Sequence, residues 1–345
     1  MRGRAYNVPN PRLMKLTRPQ LLLCAGAILV IVFAVAFPGP ARGHLSAAVA
    51  TLRNADPRWL GAAALCFAGA FGCTVGAWTS AFRSAGGRIC PRQAGARLGV
   101  GSLVNCFAPA RLGDAVKVAL CSKAIDAPGR LWTAGGVYAA ISAARCLALA
   151  SLVVVAAATG ALPWWPVLVL CAAVGALATA GALSGRLHHP RIAKLVEGFA
   201  ALERSPRAIA ALLGWTFAMA AARVGGTIAV AAALGLSHPV LAALVILPAL
   251  DVASAFPITP GAIGVGSGAV AVALAGRGIG MPDALGTGIA MQAIESAVSI
   301  TAGALGVVYL AQSRPTYRRW TLRLATAGTS IAFAALLSAH VFDLT

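Results

Sequence analysis

The sequence predicts an all-α integral membrane protein with about seven transmembrane helices and two re-entrant, Pro/Gly-broken hairpins arranged as an inverted repeat. Three observations carry this prediction. Of the 345 residues, 59% are hydrophobic and 11% charged, against about 45–50% and about 25% in soluble domains. Apolar runs of about 20 residues, enough to cross about 30 Å of hydrocarbon as a helix, recur along the chain. The 28 Lys+Arg outnumber the 9 Asp+Glu, giving a net charge of +19, and the basic residues cluster between the apolar runs. That is the positive-inside pattern of a polytopic membrane protein, and it favours anionic lipid headgroups as partners. The basic–aromatic interleaving and motifs of nucleic-acid binders are absent, so no nucleic-acid partner is expected.

The elements follow in order. Arg2, Arg4, Arg12, Lys15 and Arg18 precede the run Leu21–Phe37. At about 17 residues this run is longer than a signal-peptide core, and it reads as a retained first span over 20–37. Cys24 opens the run instead of closing it, which makes it a poor lipoprotein site. Span two covers 59–82, starting at the interface anchor Trp59 and carrying Gly72-x-x-x-Gly76 for close helix approach. A basic loop follows, with Arg83, Arg88, Arg92 and Arg97. Residues 98–120 form the first broken segment: Leu98–Ala108 is too short to span and stops at Pro109, and both flanks are basic. A hairpin that enters and leaves on one face fits this, provided protein or a wet cavity covers its broken backbone.

Span three covers 132–158 with Arg145 near its middle, and span four covers 164–184 after the uncharged turn at Pro163. The loop 185–207 reads as a surface amphipathic helix, and span five covers 208–234 with Arg223 inside it. Residues 239–276 form the second broken segment, with Pro248 and Asp251 before the break at Pro257-Ile258-Thr259-Pro260-Gly261. Span six covers 284–311 with Glu295 inside, and span seven covers 322–342. Basic clusters at 2–18, 83–97, 111–130, 186–207 and 314–323 then fall on one side. The N-terminus is therefore expected in the cytoplasm and the C-terminus outside, in a bacterial plasma membrane.

Spans one to three with the first broken segment, and spans four to six with the second, repeat in order at an offset of roughly 144 to 152 residues. Span one runs outward where span four runs inward. The chain 1–345 is thus one membrane domain: repeat one about 20–158, repeat two about 164–311, and an extra helix about 322–342. Paired broken segments in corresponding halves point to a midplane substrate site.

The intramembrane charges gather on and between these segments: Arg111, Asp114, Lys117, Arg145, Arg223, Asp251 and Glu295. Each costs about 2.5–3.5 kcal/mol at the bilayer centre on the insertion scale, so each pairs or binds something. Pairing would join the repeat-equivalent Arg145 and Glu295, and Arg223 with Asp251; binding is the other reading. Arg111 and Lys117 lie beside a helix break, where freed backbone N–H groups and a guanidinium make a phosphate site. Asp114 is expected to restrain Arg111 when the site is empty. Most of the eight Cys sit inside apolar runs with no C-x-x-C pair, and the five His show no ligand spacing, so neither a metal site nor a cofactor is expected.

Asn105-Cys-Phe-Ala-Pro109-Ala-Arg111-Leu-Gly113-Asp114-Ala-Val-Lys117 resembles the N-x-x-x-P-x-R-x-G-E-x-x-R signature of the lysylphosphatidylglycerol synthase transmembrane-region family, which is flippase-like. Pro257-Ile-Thr259-Pro260-Gly261-Ala-Ile-Gly264-Val-Gly266-Ser267 resembles that family's second signature, P-x-T-P-G-G-x-G-x-x-E. The resemblance implies lipid translocation and adds Asn105, Thr259 and Gly261 to the site. Asp114 and Lys117 replace Glu and Arg, and Ser267 replaces a Glu outright, which removes any proton-coupling or pairing role of that residue. Complete synthases add a soluble aminoacyltransferase domain after the membrane part; the expectation here is a membrane part without one.

The function these readings imply is a flippase moving an anionic phospholipid or other lipid phosphate between leaflets. The rivals are a non-transporting scaffold for a separate lipid-modifying enzyme, and an integral-membrane enzyme on lipid phosphates. A scaffold needs no costly midplane charges. An enzyme needs a nucleophile cluster or metal-ligand set that the sequence does not offer, so no catalytic residue is expected.

Overall fold

The computed structural model describes residues 54–108, 112–126, 129–168, 171–172, 205–255 and 264–313. All of them fall in one compact unit, Gly43–Thr345. Spans one and seven, the loop helix near 185–204 and most of span four lie outside the described residues.

The described chain is helical, without strands. Its elements are α1 (Pro57–Ser84), α2 (Pro91–Phe107), α3 (Leu112–Ser122), α4 (Arg130–Ala158), α5 (Pro206–Ala233), α6 (Pro239–Ala255), α7 (Val265–Ala275) and α8 (Met281–Ser313). Among the described residues four helices are long and apolar enough to cross a membrane, within α1, α4, α5 and α8. They match spans two, three, five and six, and they make this a multi-pass membrane protein. Large apolar side chains such as Leu65, Val155, Val272 and Leu305 stay exposed on the outside of the bundle, as lipid contact allows.

Local chemistry sets the helix starts. Asp56 caps α1, its carboxylate accepting from the Arg58 N–H at 2.9 Å, and Pro57 fills the first position, where no N–H is needed. Ser205 and Pro206 do the same for α5. Proline also opens α2 at Pro91 and α6 at Pro239. The sequence-based reading assigns 83–97 to a basic loop; in the structure residues 91–97 are the first turns of α2. Pro91 starts the helix there, and Ala94 and Ala96 bury while Arg92 stays exposed, so one face packs although the segment is basic. Pro248 does not break α6. The breaks fall where the sequence places them, between α2 and α3 and between α6 and α7, although Pro109, Pro257 and Pro260 themselves lie outside the described residues.

The lengths repeat. Helices of 28, 17, 11 and 29 residues (α1–α4) are followed later by helices of 28, 17, 11 and 33 residues (α5–α8). The packing repeats as well. If α1 is exchanged with α5, α2 with α6, α3 with α7 and α4 with α8, every well-packed pair maps onto another: α2 against α8 becomes α6 against α4, and α3 against α4 becomes α7 against α8. The most extensive pair, α1 against α5, maps onto itself.

The α1–α5 pair is antiparallel. The Asp56 N–H at the start of α1 donates to the Ala233 carbonyl at the end of α5, 3.0 Å away. Farther along, the Phe67 ring lies over Gly226 and the Trp215 ring over Gly76, where added Cβ atoms would come within 2.9 and 2.5 Å of ring carbons. Each helix thus offers a glycine to the other's ring. Gly76 serves close approach as its motif suggests, whereas Gly72 has nothing within 4 Å.

Helices α2 and α8 approach more closely still. A Cβ on Gly99 would strike the Ala302 carbonyl and one on Gly306 the Ala96 carbonyl, while one on Gly303 would lie 2.5 Å from Leu103 Cβ and 3.0 Å from the Gly99 carbonyl. Small residues let backbones touch in this way within membranes. Gly303→Ala is therefore expected to lower stability by about 1–3 kcal/mol through overpacking, and Gly72→Ala to change it little. Thermal unfolding in detergent would check both.

Candidate functional site

Two polar clusters are built from the intramembrane charges. The first lies at the first broken segment. Asp114 stands in the opening turn of α3, three residues before Lys117, so the two side chains share a helix face. Lys117 Nζ donates to Asp114 Oδ1 at 2.9 Å. Asn105, near the end of α2, donates from Nδ2 to the same oxygen at 3.0 Å. Tyr138 on α4 donates its hydroxyl to Asp114 Oδ2 at 3.3 Å. Gly113 and Gly101 make the α2–α3 contact tight: a Cβ on Gly113 would strike the Gly101 carbonyl and Asn105 Oδ1. Asn105 Oδ1 is buried without a hydrogen-bond partner among the described residues. Lys117, expected as a second cation beside Arg111, is paired with Asp114. Arg111 lies outside the described residues, as do Thr259 and Gly261.

The second cluster lies among the long helices. Arg223 Nη1 on α5 donates to both carboxylate oxygens of Asp251 on α6, at 2.9 and 3.1 Å. This pair is the one the sequence suggests. The other expected pair is not formed. Glu295 on α8 approaches Arg223 instead, with 3.9 Å to Nη2, and Arg145 makes no ion pair among the described residues. Arg145 and Glu295 line the same cleft, but among the described residues the guanidinium paired with Glu295 is that of Arg223.

Arg145, Arg223 and Glu295 line a cleft of about 160 Å³. Phe67, Ala70, Phe71 and Thr74 of α1, Arg145 of α4, Met219 and Arg223 of α5, and Glu295, Val298 and Ser299 of α8 form its walls. Each long helix of both halves contributes. Arg145 is exposed and Glu295 partly so.

The two clusters are linked along α4. Tyr138 and Arg145 are seven residues apart, two helical turns, and share a face with Ser142 between them. One polar stripe runs about 10 Å along α4, from Asp114 at the first break to the cleft. Tyr138 is not among the site residues expected from the sequence. Its signal is a lone hydroxyl-bearing ring in an apolar span, at helical spacing from the intramembrane Arg145. The cleft's apolar walls, Phe67, Phe71 and Met219, carry no comparable signal.

The family model described as the lysylphosphatidylglycerol synthase TM region matches residues 22–303. The chain belongs to this family. The match takes in α1 to α7 and most of α8, so both polar clusters lie within the family region. None of the curated proteins compared with the chain matches it. In this member Ser267, where the family signature has Glu, is buried, and its hydroxyl donates to the Gly264 carbonyl at 3.3 Å. It occupies the first turn of α7 with no ionisable group. Glu295 is the carboxylate that lines the cleft among the described residues, and Asp251 pairs with the lining Arg223.

Proposed function

We propose that this family member is a flippase that moves an anionic phospholipid, or another lipid phosphate, between the leaflets of a plasma membrane. The observation that carries this reading is Arg145, a cation without an ion-pair partner among the described residues, in a cleft walled by the long helices of both halves. An unpaired guanidinium at membrane depth is costly, and a planar fork suits two phosphate oxygens. The stripe through Ser142 and Tyr138 offers the headgroup polar contacts from the first break to the cleft. Exposed apolar faces leave the acyl chains in lipid.

The antiparallel α1–α5 pair and the exchangeable packing support an inverted repeat, with halves about 20–158 and 164–311 and an extra helix about 322–342. Such architectures work by rocking one half against the other around a central site. Arg111, Thr259 and Gly261 complete the site at the tips of the two hairpins in this reading. A separate lipid-modifying enzyme would supply a cargo that this chain only moves.

The membrane orientation follows from the charge pattern: N-terminus cytoplasmic, C-terminus outside. The exposed Cys90, just before α2, reports on it. In a protein with Cys90 as its only cysteine, an impermeant maleimide should label cells only after they are opened. Labelling of intact cells would invert the topology. For the site, native mass spectrometry of the full chain should show phosphatidylglycerol retained over phosphatidylcholine, with the preference lost in Arg145→Ala. Equal retention of both lipids by the unaltered protein would remove the cleft as an anion site.

A further inference from the structure

Among the described residues, the charges at the cleft balance before any anion enters. Arg145, Arg223 and Glu295 line it, and Asp251 pairs with Arg223. Helix α1 contributes no ionisable group to the walls, and α2 and α7, which also pack on α8, contribute none of the lining residues. A headgroup phosphate therefore brings an uncompensated negative charge into a region where such a charge is expensive.

The two carboxylates are not equally committed. Asp251 accepts two hydrogen bonds from Arg223. Glu295 accepts none among the described residues and stands 3.9 Å from the same guanidinium, with its side chain 32% exposed. Neutralising Glu295 sacrifices the least. It also leaves Arg223 Nη2 free to join Arg145 on the phosphate.

Building on the flippase reading, we propose that each anionic headgroup enters the cleft together with one proton, which Glu295 takes up. The proton comes from bulk water, forms an O–H bond on the Glu295 carboxylate, and returns to water when the headgroup leaves. One anion and one proton then move together, no net charge crosses, and a pH difference across the membrane can drive the lipid.

The test uses the full chain in detergent micelles and dihexanoyl phosphatidylglycerol, whose phosphate stays a monoanion across the working range. Calorimetric titrations at one pH, in two buffers of different ionisation enthalpy, count the protons taken up per headgroup bound. A value close to one is expected, with affinity falling toward tenfold per pH unit on the alkaline side, as linkage requires for one coupled proton. Glu295→Gln should bind with no proton uptake and no pH dependence. If that variant does not fold, Glu295→Asp must retain the uptake. Binding by the unaltered protein without proton uptake would overturn the proposal and leave the anion site standing. Uptake that survives in Glu295→Gln and vanishes in Asp251→Asn would overturn the assignment to Glu295. Failure of the unaltered protein to bind the probe would overturn the flippase reading and this inference together.

Discussion

Arg223→Ala is expected to destabilise the protein by about 3 kcal/mol. Arg223 holds Asp251 through two hydrogen bonds and faces Glu295. Its side chain is 19% exposed and that of Asp251 25%, so water replaces the lost partner poorly. Breaking a buried pair by removing one member leaves the other charge uncompensated, which is where most of the cost arises. Asp251→Ala should cost a similar amount. The double variant Arg223→Met/Asp251→Leu should be less destabilised than the two single effects combined, by about 1–3 kcal/mol of coupling. Thermal unfolding in detergent measures all three. Additive losses would mean that the pair is not coupled and that α5 and α6 are held together by apolar packing alone.

Arg145→Ala should give the opposite pattern. Arg145 makes no ion pair among the described residues and is exposed to the cleft, so its removal should change stability by less than about 1 kcal/mol. Lipid translocation should fall roughly tenfold or more, the loss expected for one charge-assisted phosphate contact of about 1.5–3 kcal/mol. Arg145→Lys should lie between, because the charge remains and the fork is lost. Translocation assays beside unfolding curves separate the two arginines. If Arg145→Ala unfolds the protein while transport by the surviving fraction is normal, Arg145 is structural.

Much of this architecture is legible in the sequence because its signals are long or sharp. Spans two, three, five and six are runs long enough to cross a bilayer, and their boundaries shift by only a few residues in the structure. The helix breaks are readable from proline and glycine, and the Arg223–Asp251 pair from two isolated opposite charges. Other features are less visible. The start of α2 is masked by its arginines, although Pro91 marks it. The Asp114–Lys117 bridge follows from a spacing of three on a helix, a local rule readable in the sequence. The partner of Glu295 depends on how four helices cross in space, which no periodicity encodes. The repeat equivalence expected of Arg145 and Glu295 would give them matching places, not a contact. The cleft's apolar walls are ordinary membrane residues whose role comes only from the α1–α5 crossing.

In the proposed function, a lipid with a phosphate headgroup crosses the bilayer through the cleft among α1, α4, α5 and α8. The most direct test is reconstitution of the full chain, alone, into liposomes carrying a trace of fluorescent phosphatidylglycerol, followed by quenching from outside with an impermeant reductant. With the unaltered protein, quenching should proceed beyond the outer-leaflet fraction to nearly all of the dye, and Arg145→Ala should slow that second phase at least severalfold. Quenching that stops at the outer-leaflet fraction, as in protein-free liposomes, with folded protein in the membrane and a pH gradient of either sign, would contradict the account.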